Sequence, residues 1–559
     1  AVRGLPIYDL KYPTFTNAAK NDAAKRIREA YPEATDEDIK GSRGCIRTTH
    51  SLALTCCREA GVVSLKQDGG QDEILEMKGK KVDYYEDFAN KNHMDFERPQ
   101  AKEDNLSETD IHEEATGNQF FKLAEFMATN IDWTPEDCYL AQDRSRLHFE
   151  PPRTSTLPDL LREWDFFKAE YGLFEHSDYV KLSIEKRLAL YAEVAFFDEF
   201  QDYSSLLFAQ WTSWVNNSPD LRRVYVAGDP HQAIYGFINA HPRYLMELDA
   251  IDWGIEEGRQ SRRCPAKVVH IARQIIPESE LRPRPTPGVV RYHNPYSTPL
   301  VRLIPRLWEE HGQVMVLTRT TYQVRKLSRM LVEAGIPHLD YSGRLPTWSP
   351  KSKHMELVLR TLRQVIDGKD VDPEDFTGLM RKASKHLVRD RVITQARKKP
   401  KEGNTTLPID VGIPATNVIR LFPEAHRPSA IPGLLNIRSM NQKRALTNAL
   451  NNQYRIMPSD IRVDTIHAAK GLEAPTVVLC LAYSGTLTDQ YYEDQEFQDE
   501  ERRVYYTGVT RAREELHIYG GSLIGMGDVP LFSEVFMPKD TDILPDIEVY
   551  AQGASISHA

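Results

Sequence analysis

Apolar runs of strand length recur along the chain, and polar residues follow each of them. These runs are LALYAEVAFF (188–197), RRVYV (222–226), QVMVL (313–317), APTVVLC (474–480) and ELHIY (515–519). Continuous apolar runs are typical of strands buried on both faces, as in parallel sheets covered by helices. The run at 313–317 leads into a segment of helical periodicity, so the pattern predicts an α/β fold with parallel sheets.

Two strand–turn–helix units open the chain. Residues 7–17 predict a short strand that ends in a polar turn, and Asn17 is the expected N-cap of a helix that ends before Pro32. Residues 44–61 repeat this order, with Gly61 as the helix stop. Polar residues at these strand ends are candidates for chemistry, because open parallel sheets bind ligands beyond the carboxyl ends of their strands.

The strand pattern divides the chain into two α/β cores, and a mainly helical insert interrupts each. The second insert holds a basic run from Arg381 to Lys401, which indicates either a phosphate-binding surface or a solvated helix face. The first core is predicted to comprise residues 1–57 and 175–253, with its insert at 58–174. The second core is predicted to comprise residues 254–345 and 456–530, with its insert at 346–455. Residues 531–559 are predicted to form a loop-like tail.

Composition narrows the class of protein. The 559 residues are 41% hydrophobic and 27% charged, with a net charge of −10, so the chain as a whole is not a basic nucleic-acid coat. Its six cysteines form no C-x-x-C pair, which indicates a reduced, intracellular and cytoplasmic protein. The sequence has no signal-peptide pattern at its start and no apolar run near the ~18 residues of a membrane span.

The segment DEFQD places Asp198, Glu199 and Asp202 directly after an apolar strand. An Asp at such a strand end can hold Mg²⁺ on nucleotide phosphates, and an adjacent Glu can deprotonate an attacking water. The alternative is a solvated acidic loop. These residues alone leave both interpretations open.

Three further segments carry candidate chemistry. GDPHQAIYGF offers Gln232 as a phosphate contact and Tyr235 and Phe237 as stacking platforms for bases, although both rings could instead fill the core. QSRRCP supplies Arg262 and Arg263, each either a phosphate contact or a surface ion pair. VYYTGVTRARE is expected to place Arg511 and Arg513 at the start of a helix that leads into a strand, with the same two alternatives.

The order and spacing of these segments resemble superfamily 1A DNA helicases of the UvrD/Rep/PcrA type. Eight segments match the motifs of that family in the family's order. They are TFTNAAK (14–20, motif Ia), TTHSLAL (48–54, Ib), DEFQD (198–202, II), GDPHQAIYGF (228–237, III), QSRRCP (260–265, IV), VLTRT (316–320, IVa), DTIHAAKGLE (464–473, V) and VYYTGVTRARE (504–514, VI).

The resemblance implies two RecA-like cores, 1A and 2A, that bind ATP in the cleft between them, with inserts 1B and 2B. It implies an ATP-dependent helicase or translocase that moves 3′ to 5′ on single-stranded DNA, with duplex junctions and accessory replication or repair proteins as further partners. The expected cofactors are ATP and Mg²⁺. The resemblance leaves open a motor subunit of a helicase–nuclease complex.

Roles at the ATP site carry over residue by residue. Asp198 is the implied Mg²⁺ ligand, Glu199 the base for water and Gln232 the γ-phosphate contact. Arg263 and Arg511 are the implied arginine fingers, which supply charge where it develops on the transferring phosphoryl group. The remaining implied ATP-site residues are Asp202, Gly471, which allows close backbone approach, and Glu473, which binds the ribose.

Roles on the DNA side carry over in the same way. Stacking on bases tolerates any sequence, as a translocating motor requires. The implied stacking residues are Phe15, Tyr235 and Phe237, and the implied lining of the single-strand track is Thr14, Asn17, His50, Arg319, Thr465 and His467.

Two departures from the family pattern matter. The sequence contains no G-x-x-x-x-G-K-[ST], the loop that holds the β- and γ-phosphates in this family. ATP turnover is therefore expected only if that segment precedes Ala1 in the natural protein, and the alternative is a DNA-binding protein without turnover. Arg262 stands where many members have a Tyr, which alters the expected wall beside the nucleotide base.

Overall fold

The computed structural model of the protein describes most of residues 7–98, 115–340, 353–379 and 435–535, with short gaps inside these ranges. The chain divides into two compact units, residues 1–257 and 258–559.

The first unit is built on a parallel sheet with a helical insert. Thr48 begins one of its helices by accepting a hydrogen bond from the Ser51 amide. Its strands are β1 (Leu10–Thr14), β2 (Ile46–Thr48), β3 (Glu73–Ile74), β4 (Leu173–Phe174), β5 (Val194–Phe197) and β6 (Arg223–Val226). Its helices are α1 (Asp36–Lys40), α2 (Thr49–Glu59), α3 (Val82–Lys91), α4 (Thr116–Ala128), α5 (Cys138–Ser145), α6 (Leu157–Tyr171), α7 (His176–Glu185), α8 (Ser205–Asn217) and α9 (Arg243–Met246).

Four of these strands form one parallel sheet in the order β2-β1-β5-β6. Helices α2, α7 and α8 cover one of its faces through a core that includes Leu52, Tyr179, Phe197 and Trp214. The short strands β3 and β4 pair with each other in the insert. Parallel pairing brings the carboxyl ends of β1, β2, β5 and β6 to one edge, which positions the motif segments that follow them.

An aromatic core holds the insert of the first unit together. Trp164 of α6 lies with its ring centroid 4.9 Å from those of Phe88 and Phe121. Aromatic pairs at such separations stabilise a core beyond the area that they bury.

A buried lysine joins this insert to the core. Lys168 of α6 is 5% exposed, and its ammonium lies 2.9 Å from Glu175, 2.9 Å from Asp178 and 3.2 Å from Asp165. Burial alone would lower the pKa of Lys168, but these carboxylates raise it well above its usual range. The cation therefore stays charged and fastens α6 to the start of α7.

The second unit contains a larger parallel sheet. Its strands are β7 (Val289–His293), β8 (Val314–Thr318), β9 (Leu339–Asp340), β10 (Ile461–Thr465), β11 (Ala474–Cys480), β12 (Ala482–Tyr483), β13 (Ala512–Tyr519) and β14 (Gly527–Asp528). Its helices are α10 (Ala266–Ile275), α11 (Leu300–His311), α12 (Thr321–Glu333), α13 (Lys353–Ile366), α14 (Met440–Asn451), α15 (Gly485–Glu493), α16 (Gln495–Val509) and α17 (Pro530–Val535).

The six main strands of this unit pair in parallel in the order β7-β13-β11-β8-β10-β9, and β12 pairs with β14. β8 is buried at all five positions, as its continuous apolar run predicts. The α/β fold class with parallel sheets in two cores is confirmed. All six cysteines are free, buried thiols, which also agrees with the sequence.

Two predictions differ from the structure. Arg511 and Arg513 do not start a helix: α16 ends at Val509, Arg511 lies in the turn after it, and Arg513 lies in β13. Residues 531–535, predicted to begin a loop-like tail, belong to α17, in which Leu531 and Phe532 are buried. The basic run from Arg381 to Lys401 lies outside the described residues.

Candidate active site

The turn after β5 carries two acidic residues that the sequence singles out. β5 ends at Phe197, and Asp198 and Glu199 follow it at the carboxyl edge of the first sheet. Glu199 has a φ of 54°, in the left-handed region that residues other than glycine rarely adopt. Strained backbone of this kind concentrates at functional sites, where the surrounding fold holds it in place.

Two hydrogen bonds fix the carboxylate of Asp198. The Tyr12 hydroxyl on the adjacent strand β1 donates to Asp198 Oδ2 at 2.6 Å, and the Glu199 amide donates to Oδ1 at 3.0 Å. Sequence reasoning missed Tyr12, because the pairing of β1 with β5 that brings it close is a property of the folded sheet. The Asp198 side chain therefore has a set orientation.

Gln201 joins Glu199 to the loop after β6. Its Nε2 donates to Glu199 Oε2 at 2.5 Å, and its Oε1 accepts from the Asp229 amide at 3.0 Å. Asp229 Oδ2 in turn accepts from Gln232 Nε2 at 2.7 Å. A continuous hydrogen-bond chain thus runs from Glu199 to Gln232, and we call these four residues the glutamate–glutamine chain.

Close packing holds Gln201 in this position. Its side chain is completely buried, and a Cβ on Gly228 would lie only 2.6 Å from Gln201 Oε1 and 2.8 Å from Leu245 Cδ2. Only glycine leaves enough room there. Sequence reasoning also missed Gln201, and the signal that could have found it is a polar side chain inside a buried acidic turn.

Of the two candidate stacking rings of the first unit, Phe237 lies within the turn Gly236–Ile238, and Tyr235 directly precedes it. Phe237 is 54% exposed, which excludes the interpretation that it fills the core. The Tyr235 ring meets it edge-on with centroids 5.8 Å apart. Phe15 and Asn17, the other candidates at the strand ends of this unit, lie outside the described residues.

A pocket of about 820 Å³ in the first unit is lined by His50, Asp202, His176 and Phe237, with further walls from the insert. His50 lies in the first turn of α2, where burial and, to a smaller extent, His176 lower its pKa to about 4. Its ring is therefore neutral near pH 7. Asp202 is 1% exposed and faces this pocket, and Thr14 is buried at the end of β1.

In the second unit, Arg263 and Glu473 form an ion pair. Arg263 Nε donates to Glu473 Oε2 at 2.6 Å, and Arg263 Nη1 donates to the Thr510 carbonyl at 3.3 Å. Arg513 Nη1 lies 3.6 Å from Glu473 Oε1. The structure thus brings together residues of motifs IV, V and VI around one carboxylate.

Arg511 is 1% exposed and directs its guanidinium at main-chain oxygens. Its Nε donates to the Thr507 carbonyl at 2.9 Å, and its Nη1 donates to the Leu472 carbonyl at 3.4 Å. A hydrogen bond from Nη2 to Thr510 Oγ1 at 3.1 Å completes the set. Gly471, one residue before Leu472, has a φ of 79°, which favours glycine at that turn.

Arg319 follows β8 and pairs with a fully buried carboxylate on α16. Its Nε and Nη2 donate to Glu501 Oε1 at 2.8 and 2.7 Å, and the Tyr483 hydroxyl donates to Oε2 at 2.9 Å. Burial alone would lower the pKa of Arg319, but Glu501 raises it above its usual range. The structure therefore places Arg319 in an ion pair within the second unit.

Thr465 ends β10, and His467 follows it. Thr465 is 8% exposed, and its Oγ1 accepts from the Ala468 amide at 3.2 Å, whereas His467 is partly exposed. Every helix in the described part of the chain is too short or too polar to cross a membrane.

Two family models and several known proteins match this chain. The model of the UvrD/REP helicase N-terminal domain matches residues 7–250, and that of the UvrD-like helicase C-terminal domain matches residues 393–520. The ATP-dependent DNA helicase UvrD2 of Mycobacterium tuberculosis is 26% identical over 353 residues, which are 57% of this chain and 46% of that protein.

A second relative matches over a shorter stretch. The ATP-dependent DNA helicase Rep of Escherichia coli is 45% identical over 56 residues, which are 10% of this chain and 8% of that protein. The chain spans about half the length of the curated relative UvrD2. Because the two family models together match about two thirds of its residues, the chain belongs to the UvrD/Rep-type helicase family.

Proposed function

We propose that this chain is the motor part of an ATP-dependent DNA helicase or translocase that moves 3′ to 5′ on single-stranded DNA. The observation that carries the proposal is the glutamate–glutamine chain, because it joins a candidate base for water to a candidate phosphate contact. Family membership and the similarity to ATP-dependent DNA helicases support the helicase part of this proposal.

Asp198 is the residue best suited to hold Mg²⁺ with the nucleotide. Its carboxylate supplies hard oxygen donors at a strand end, and Mg²⁺ in such sites takes one or two carboxylates besides phosphate and water. Tyr12 and the Glu199 amide set the orientation of that carboxylate. Bound Mg²⁺ supplies positive charge to the phosphate oxygens.

Glu199 is the proposed general base. Its role is to accept a proton from the attacking water, and the hydrogen bond from Gln201 fixes the direction of its carboxylate. Gln232 is the proposed contact to the γ-phosphate. Since Asp229 links Gln232 to Gln201, a shift of Gln232 on phosphate binding would be transmitted to the base.

Arg263 and Arg511 are the proposed cations for the transferring phosphoryl group. Arg263 is engaged with Glu473, and Arg511 with backbone carbonyls, so each would exchange hydrogen-bond partners when a phosphate arrives. Release of Arg263 would leave the Glu473 carboxylate available to a ribose hydroxyl. The same proposal assigns Gly471 and Asp202 to nucleotide binding.

The exposed ring of Phe237 and the neighbouring Tyr235 are the proposed stacking platform for bases of single-stranded DNA. His50 is neutral near pH 7 and can therefore donate or accept a hydrogen bond beside a base without adding charge. The same proposal assigns Thr14, Phe15, Asn17, Arg319, Thr465 and His467 to the strand track.

Duplexes that carry a single-stranded tail test the direction of movement. In the presence of ATP and Mg²⁺, the full-length protein should displace the shorter strand of a 3′-tailed duplex and leave a 5′-tailed duplex of the same sequence intact. A non-hydrolysable ATP analogue is the control for passive melting. Preferential unwinding of the 5′-tailed duplex would contradict the assigned direction.

A further inference from the structure

A cluster of histidine and glutamate side chains lies in the second unit, apart from the motif segments. Its members are Glu310 and His311 at the end of α11, Glu515 and His517 on β13, and His293 at the end of β7. We call these five residues the histidine–glutamate cluster. Nothing in the proposed helicase activity uses them.

The Nε2 of His311 faces two carboxylates, and its Nδ1 lies 3.7 Å from a third, that of Glu514. Its Nε2 lies 3.3 Å from Glu515 Oε2 and 3.9 Å from Glu310 Oε2. This nitrogen is buried and has no hydrogen-bond partner within the part of the chain that the structure describes. A buried nitrogen directed at two carboxylate oxygens in this way is the arrangement expected around a shared cation.

A second layer of hydrogen bonds orients Glu515. His517 is completely buried, and its Nε2 donates to Glu515 Oε2 at 3.0 Å, because a carboxylate only accepts. On a neutral ring the Nδ1 of His517 then accepts from His293 Nε2 at 2.8 Å. Carboxylates that ligate metals are typically oriented by outer partners of this kind.

We propose that His311, Glu310 and Glu515 bind a zinc ion or a divalent cation of the same class. In a tetrahedral zinc site, neighbouring ligand atoms lie about 3.3 Å apart. His311 Nε2 and Glu515 Oε2 already lie at this distance from each other. Glu310 Oε2 lies 3.9 Å from His311 Nε2, so this side chain, which is 46% exposed, must move closer to complete the site. All three ligand atoms lie within 4.8 Å of one another.

The chemistry of the three ligand side chains indicates which metal ion the site would prefer. One imidazole and two carboxylates suit Zn²⁺, whereas Mg²⁺ and Ca²⁺ prefer ligands that are all oxygen. Three protein ligands leave the fourth position to a water. The ion would tie the end of α11 to β13, the strand that follows Arg511, and it would stabilise the second unit because it binds the folded state.

Zinc binding by the purified chain tests this proposal independently of ATP or DNA. Zn²⁺ is titrated against a chromophoric chelator for the wild-type chain and for His311→Gln and Glu310→Gln. Glu309→Gln is the matched control, since this carboxylate is also exposed and is adjacent in sequence but lies outside the cluster. Cobalt substitution adds a spectroscopic signature of tetrahedral coordination.

The wild-type chain and Glu309→Gln should each bind one more zinc ion per chain than His311→Gln. Added zinc should raise the thermal midpoint of these two proteins but not that of His311→Gln. Glu310→Gln should weaken binding by at least about tenfold. If His311→Gln fails to fold, Glu310→Gln at its exposed position decides the matter. Equal zinc stoichiometry and affinity in the wild type and the folded ligand variants would overturn the proposal.

Discussion

Gln201 is the residue on which the geometry of the candidate site depends most. It is completely buried, its amide donates to Glu199 and accepts from the Asp229 main chain, and Gly228 leaves just enough room for it. A buried amide with both ends satisfied is rigid, and its removal leaves a carboxylate without its partner. Gln201 therefore acts as a positioning residue for the proposed base.

Replacement of Gln201 by Ala should lower kcat for ATP hydrolysis by the full-length protein about 10- to 100-fold, because a misdirected base loses its near-attack geometry. KM for ATP should change much less, since Gln201 does not touch the nucleotide in this account. A thermal melt establishes that the variant is folded. An unchanged kcat in a folded variant would remove the positioning role.

The exposed ring of Phe237 is the proposed stacking surface for bases of single-stranded DNA. Its replacement by Ala should weaken binding of single-stranded DNA by about 1–3 kcal/mol, since stacking on one base is lost. Fluorescence anisotropy with a labelled oligonucleotide measures the change. Tyr296→Ala, at a ring that is 83% exposed in the second unit, is the control and should bind like the wild type. Equal affinities for all three proteins would argue against Phe237 as a stacking platform.

At the scale of elements, the junction between α6 and α7 depends on one buried cation. Lys168 neutralises Glu175 and Asp178, and Trp164 Nε1 also donates to Glu175 at 3.2 Å. Removal of the ammonium would leave two partly buried carboxylates close together without a cation. The insert is thus attached to the first core by electrostatics as well as by its aromatic core.

Lys168→Met should therefore destabilise the first unit by about 3 kcal/mol, the usual cost of breaking a buried ion pair. The thermal midpoint should fall, and amide hydrogen exchange should rise in α6 and α7. Lys186→Met, at an exposed position after α7, is the matched control and should exchange like the wild type. Unaltered exchange in Lys168→Met would contradict the electrostatic attachment.

The elements themselves were largely predictable from the sequence. Strands β8 and β11 coincide closely with their apolar runs, because both are central strands buried almost throughout. Helix α16 was missed because its buried stripe includes Glu501, which interrupts the apolar pattern. The charge of Glu501 is compensated by Arg319, a contact that forms only when α16 packs on the sheet near the residue that follows β8.

The candidate site was predictable only in part. Asp198, Glu199 and Gln232 follow from strand ends and motif spacing, whereas Tyr12 and Gln201 enter through contacts between neighbouring strands and loops. Such contacts depend on register and on close packing, which the local sequence does not specify.

For the whole molecule, we propose that the carboxyl edge of the first sheet belongs to an ATP-driven motor on DNA. Family membership indicates a helicase. Within this protein, the glutamate–glutamine chain connects the proposed phosphate contact, Gln232, to the proposed base, Glu199. The net charge of −10 makes a local binding surface, rather than overall attraction, the basis of contact with DNA.

The most direct test is ATP hydrolysis by the full-length protein with and without single-stranded DNA, for the wild type and for Glu199→Gln. We expect DNA to stimulate hydrolysis by the wild type, and we expect Glu199→Gln to lower it by at least about 100-fold, the usual contribution of a general base. DNA binding by the variant should persist. A wild-type protein that binds single-stranded DNA but hydrolyses ATP no faster than Glu199→Gln would contradict the account and indicate a DNA-binding protein without turnover.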